Sequence, residues 1–249
     1  MKKQIKKAFK KTFKKLGYKI SKVGNTPEQT QNNNFTMLNA LRRCKERGLD
    51  VNTVIDVGAS NGMWTRECLP VLPNAKYLLV EAQEGHVDAL NAFVKKRANV
   101  QYTLAAAGSG DDTIFFDNSG LFGGVASKTP FKGNYVELPM ISLDNEVERR
   151  NLKGPFLLKL DTHGFEVPIL EGAKQLIKQA QLVVIECYNF KLSDESLRFY
   201  EMCDYMKQLG FSPIEMVDFM NRKYDNSFWQ LDIFFVPTSS KSFSHNAYI

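Results

Sequence analysis

The chain has 249 residues, 43% of them hydrophobic and 12% aromatic, enough for one large core with or without extensions. Its formal net charge of +6 suggests nucleic-acid binding only until the charges are located: the first 24 residues hold ten lysines and no acid, and the remaining 23 basic residues face 27 acidic ones. The body is therefore slightly acidic, and no apolar run approaches the roughly 20 residues of a transmembrane helix or supplies the apolar segment of a signal peptide.

Residues 1–24 predict a basic amphipathic helix over Met1–Ile20, with Ile5, Phe9, Phe13, Leu16 and Ile20 on one face and paired lysines on the other. Such a helix suits an anionic membrane surface; the competing readings are a helix docked on the body with its lysines in solvent and a nucleic-acid arm. Residues 25–50 read as a polar linker and a lead-in helix whose stripe Phe35, Leu38, Leu41 and Cys44 stops at Gly48. From Val51, strands and helices alternate to residue 237, the pattern of a mostly parallel sheet with helices on both faces. Strands are expected at Thr53–Val57, Tyr77–Glu81, Val100–Ala107, Pro155–Asp161 and Leu182–Glu186, and helices after Gly62, over Val87–Arg97, over Val167–Gln179 and from about Ser193. Residues 113–143 break this rhythm with short alternating pieces and four glycines, and read as an inserted β segment or lid. Two apolar runs, Ser212–Val217 and Trp229–Val236, predict an antiparallel pair at a sheet edge, and residues 238–249 read as a loose tail. Cys44, Cys68, Cys187 and Cys203 form no C-x-x-C pair, and read as reduced core residues of a cytoplasmic protein.

The first candidate site is the turn after Thr53–Val57. Asp56, Gly58, Ala59, Ser60, Asn61 and Gly62 make a D-x-G-x-x-x-G loop between a strand and a helix, where glycine allows positive φ and close ligand approach and free N–H groups face what is bound. A dinucleotide fingerprint needs glycine where Ser60 and Met63 stand, and there is no Walker lysine. What remains resembles the D-x-G-x-x-x-G loop of S-adenosylmethionine-dependent methyltransferases, in which the turn wraps the amino-acid end of the cofactor. Glu81, 25 positions after Asp56 and followed by Ala82, stands near the offset of about 20 residues at which an acid meets ribose hydroxyls. Ala105, Ala106 and Ala107 leave flat space for an adenine.

The second candidate site is Asp161-Thr162-His163-Gly164-Phe165-Glu166, two acids and an imidazole around a glycine at a strand's carboxyl end. His163 can take a proton from a hydroxyl with Asp161 orienting it, or the acids can hold a divalent metal. Glu186, at the next strand end, can line the same cleft, while Glu166 reads as a helix-N-terminal acid. His86 falls in a helical stretch and His245 in the tail, so neither has comparable surroundings.

These motifs resemble the FkbM family of S-adenosylmethionine-dependent methyltransferases: Ile55–Gly62 is similar to its first motif, and Leu158–Glu166 running on through Ile169–Ala173 to its most distinctive one. His163 stands where many members have an acid or glutamine. The resemblance covers about Val51–Val236 and implies a Rossmann-like α/β fold of roughly seven strands and O-methylation of a hydroxyl on a sugar, glycan or small metabolite. Expected partners are that acceptor and an anionic surface on the inner face of the membrane. Nucleic acid is disfavoured, since there is no [DN]-P-P-Y tetrad and no Pro-Cys nucleophile. The competing readings are a nicotinamide-dependent sugar-modifying oxidoreductase, which lacks its fingerprint glycines here and has no Y-x-x-x-K pair outside the basic N-terminal stretch, and a catalytically silent, membrane-associated cofactor-binding scaffold.

Overall fold

The computed structural model describes residues 34–248. The helix expected over Met1–Ile20 lies outside them. After helix α1 (Met37–Glu46), the chain lays down β1 (Thr53–Val57), α2 (Met63–Cys68), β2 (Lys76–Glu81), α3 (Val87–Val94) and β3 (Val100–Leu104). Then follow β4 (Ala106–Ala107), β5 (Asp112–Asp117), β6 (Val125–Ser127), β7 (Val136–Ile141) and α4 (Leu143–Arg149). The last third holds β8 (Phe156–Leu160), α5 (Glu166–Glu171), α6 (Lys174–Ile177), β9 (Ala180–Tyr188), α7 (Phe199–Gln208), β10 (Phe211–Asn221) and β11 (Phe228–Pro237).

Seven strands form the main sheet in the order β10-β11-β9-β8-β1-β2-β3. Only β11 runs antiparallel to its neighbours; the other pairings are parallel. Every residue of β1 and β8 is buried, as central parallel strands covered on both faces must be. One apolar cluster packs Ile55, Leu158 and Ile185 on one face, and a second packs Val54, Leu157 and Val184 on the other. The order of the chain reverses between β1 and β8, and at such a switch point the carboxyl ends of two neighbouring strands open a crevice. Both candidate motifs end there.

The expected 113–143 excursion is a sheet of its own, ordered β4-β7-β5-β6. The strand expected over Val100–Ala107 is split. Ala105 still donates to the Glu81 carbonyl, but Ala106 and Ala107 pair with Met140 and Ile141 of the second sheet. The helix expected over Val167–Gln179 is also two pieces, because a Cβ on Gly172 would sit 2.0 Å from the Gly108 carbonyl oxygen, and Asp144 caps α6 by accepting from Gln175 and Leu176 N–H. The last helix begins at Phe199 rather than near Ser193, since the Ser196 hydroxyl accepts from Leu192 and Ser193 N–H and closes a turn there. All four cysteines are free, three of them buried.

Candidate active site

Asp161 and Gly58 meet where the two motifs cross. Gly58 has φ 75°, and a Cβ there would lie 1.9 Å from the Asp161 carbonyl oxygen, so any larger residue would push the strand ends apart. The crossing opens a cleft of about 410 Å³, within the range of roughly 300–1,000 Å³ usual for small-molecule sites. Gly58, Ser60, Glu81, Ala82 and Ala106 line it, as do Asp161, His163 and Glu186. Asp56, Ala59, Asn61 and Gly62 do not. Asp56 is 1% exposed and accepts from the Thr65 hydroxyl at 2.6 Å, so it anchors α2 to β1 behind the loop. Burial pushes its carboxyl up to about 6, against the opposing pull of Lys159.

Four of the loop's N–H groups are already engaged, contrary to expectation. Gly58 and Ala59 N–H both donate to the Val80 carbonyl, Gly62 N–H to the Ala59 carbonyl, and Ser60 N–H to Glu81 Oε2 at 2.6 Å. The second Glu81 oxygen accepts from Gln83 N–H at 2.8 Å. Two fixed donors hold the carboxylate at the cleft wall, with lone pairs left over for a diol.

At the other end, His163 has φ 52° and Gly164 φ 102°, a left-handed pair that folds the imidazole back over the strand end. Glu166 braces this turn, accepting from Gly164 N–H at 2.9 Å and from the Thr162 hydroxyl at 3.0 Å. The His163 side chain is 26% exposed. Its Nδ1 lies 2.7 Å from the Tyr188 hydroxyl and 3.2 Å from Glu186 Oε2, while Asp161 Oδ1 is 3.9 Å away. Tyr188 donates to Glu186, whose other oxygen accepts from Gln230 Nε2. Glu186 and Tyr188 therefore orient the imidazole, not Asp161 as expected. Asp161 instead pairs with the buried Lys159 at 3.0 Å. Burial pulls the imidazole pKa down, but the Glu186 hydrogen bond and charge, with Asp161, hold it above its ordinary value. Burial would raise Asp161, yet Lys159 and His163 hold it below the usual carboxylate range.

With Nδ1 taken up by Tyr188 and Glu186, Nε2 faces the loop at Gly123, where a Cβ would be 4.0 Å from it. That loop is also tied to the side of the cleft that holds Glu81: the Leu121 carbonyl lies 2.9 Å from His86 Nε2 and 3.2 Å from Gln83 Nε2. His86 is thus a cleft residue after all, 3.3 Å from the Ser60 hydroxyl. Its Nε2 is engaged by the loop and not presented to a substrate. Sequence reasoning also passed over Tyr188, Lys159 and Gln230. Tyr188 stands two residues beyond Glu186, where the strand period puts it on the same face, and a lysine inside the apolar run Phe156–Leu160 was a signal in itself.

Ligand atoms of Asp161, His163 and Glu186 lie within 4.8 Å of one another, close enough for a divalent ion. The buried Lys159 ammonium already supplies positive charge beside Asp161, and Nδ1 is hydrogen-bonded, so no metal is assigned here.

Residues 56–213 match the family model described as the methyltransferase FkbM domain. The chain belongs to the FkbM methyltransferases. The match spans both strand-end motifs, and the family is one of methyltransferases rather than nicotinamide-dependent oxidoreductases. No curated protein matches the sequence. Among solved structures, the chain is similar to methyltransferase FkbM from Methylobacillus flagellatus KT (14% identity, TM-score 0.49, covering 73% of this chain and 43% of that one). It is also similar to a SAM-dependent methyltransferase from Aquifex aeolicus (14% identity, TM-score 0.44, covering 86% and 94%). This FkbM chain thus spans less than half the length of the Methylobacillus protein. Among the described residues, no helix is long and apolar enough to cross a membrane.

Proposed function

We propose that this FkbM enzyme transfers a methyl group from S-adenosylmethionine to a hydroxyl of a sugar, glycan or small metabolite. The observation that carries the reading is the imidazole of His163, held at Nδ1 by Tyr188 and Glu186 and open toward the cleft at Nε2. The cleft fits the cofactor in its chemistry: a braced carboxylate at Glu81 for a diol, a Gly58 turn without a side chain, and an alanine wall at Ala105–Ala107. When bound, S-adenosylmethionine supplies a methyl group already activated on a sulfonium.

The protein's remaining tasks are to align the acceptor and to remove its proton. In the neutral imidazole, Nδ1–H donates to Tyr188, whose O–H donates to Glu186, and Nε2 is left as the base. Taking the hydroxyl proton creates an imidazolium between Glu186 and Asp161, two acids that stabilise it. The loop at Leu121–Gly124 lines the cleft on the side that His163 Nε2 faces. The hydroxyl acceptor is supported by the base, and the glycan or metabolite class by the family resemblance.

We further propose that the ten lysines of residues 1–24 bring the enzyme to an anionic membrane surface on its cytoplasmic side. The cofactor reading is tested by thermal-shift titration with S-adenosylmethionine and with NAD. Stabilisation by the first alone is expected, about 2.7 kcal/mol at a hundredfold excess over the dissociation constant. A shift with NAD and none with S-adenosylmethionine would overturn it.

A further inference from the structure

Lys159 is the charged residue that the proton transfer above leaves unused. It sits in the middle of β8, 2% exposed, with Asp56 as its register partner on β1 and Val184 on β9. Its ammonium is 3.0 Å from Asp161 Oδ2 and 4.0 Å from Asp232 Oδ1 on β11. Glu186 and Asp218 also act on it or feel it through space. A lysine buried this deeply persists as a cation only because acids surround it, and here they surround it from β1, β9, β10, β11 and the end of β8.

Two of these acids, Asp161 and Glu186, also face His163, and Glu166 joins them. Glu186 lies 3.2 Å and Asp161 3.9 Å from Nδ1, Glu166 acts on it from α5, and Tyr188 closes the fourth side. Three carboxylates with no counter-charge would hold the imidazole protonated, and a protonated imidazole accepts nothing from a substrate hydroxyl. We propose that Lys159 is a positioning residue for the base: by pairing with Asp161 beneath the cleft, it offsets part of that negative charge and so lowers the pH at which His163 becomes neutral and proton-accepting. The functional half of this inference rests on His163 being the base; the electrostatic half does not.

The chain has three histidines, so their imidazole resonances can be assigned by single substitutions and followed by NMR against pH in the whole protein, without an acceptor. Lys159→Met is expected to move the His163 midpoint upward, leaving a roughly three- to tenfold smaller fraction of neutral imidazole at neutral pH. Lys159→Arg, which keeps the charge, should bring the midpoint back toward that of the parent. Asp161→Asn should move it downward, and adding Lys159→Met to Asp161→Asn should raise it again. That last comparison carries the test if Lys159→Met alone does not fold, since the double variant leaves no unpaired Asp161. A His163 midpoint unmoved by Lys159→Met, or equal in Asp161→Asn and the double variant, would overturn the proposal. Movement as expected together with full activity in His163→Gln would overturn its functional half and the base assignment with it.

Discussion

His163 holds its place through covalent geometry as much as through hydrogen bonds. A non-glycine residue at φ 52° is uncommon, and here it is followed by Gly164 in the same region, so the turn presents the imidazole at the cost of local strain. Gly164 could not be larger, because a Cβ would come 2.9 Å from Ser196 Cβ. The energy that maintains such a turn comes from its surroundings, chiefly Glu166 beneath it and Tyr188 and Glu186 on its flank. His163→Gln should leave cofactor affinity nearly intact and cut the single-turnover rate by a factor on the order of 10²–10⁴, the usual worth of a general base. Measurement needs the acceptor, which a screen of hydroxylated glycans and metabolites for methyl transfer would supply. A variant that kept the full single-turnover rate would move the base to Asp161 or Glu186.

At the level of elements, β11 is the strand that makes the site costly to fold. It inserts antiparallel between β9 and β10 and brings Asp232 directly opposite Glu186, two acids in register on one face. Gln230, two residues earlier, offsets part of this by donating to Glu186. Asp232 has no such partner: its Oδ1 is buried without a hydrogen bond, and burial pushes its carboxyl from 3.8 up to about 7, with Lys159 pulling the other way. An unfolded chain releases this proton near pH 4, whereas the folded chain keeps it until about 7. In that window the native state binds more protons, so this group's contribution to stability falls as pH rises and is flat above it. Asp232→Asn cannot titrate and escapes the loss. Relative to the parent, it should gain on the order of 1–3 kcal/mol of unfolding free energy between pH 5 and pH 8 in urea melts. An equal difference at both pH values would show that Asp232 is ionised throughout.

Over the whole molecule, charge and chemistry are separated along the chain. The residues that line the cleft fall between Val57 and Glu186, while the excess of lysine is confined to residues 1–24. The body without that stretch is slightly acidic and has no electrostatic reason to seek an anionic surface. Deleting residues 1–24 should therefore abolish sedimentation with anionic vesicles and leave S-adenosylmethionine affinity unchanged. Equal binding of the full chain to neutral and anionic vesicles would remove the electrostatic part of the claim.

The alternation of apolar runs with small-residue turns was enough to predict the parallel sheet, and the strand-end motifs at Asp56–Gly62 and Asp161–Glu166 were legible because local backbone demands select glycine and acids there. Period and turn chemistry are local properties, and one chain carries them openly. What the side chains do at those positions is not local. Asp56 turned out to be a buried anchor for Thr65, and Glu186 rather than Asp161 orients His163. Tyr188, Gln230 and Lys159 joined the site only through the register of β8, β9 and β11. The break at Ala105 and the split after Glu171 likewise follow from the second sheet, which presses Gly108 against Gly172. Periodicity places a residue on a face of its own strand; which strands become neighbours, and so which charges meet, is decided by packing between segments far apart in the chain, as β1 and β8 are, and only the folded chain records it.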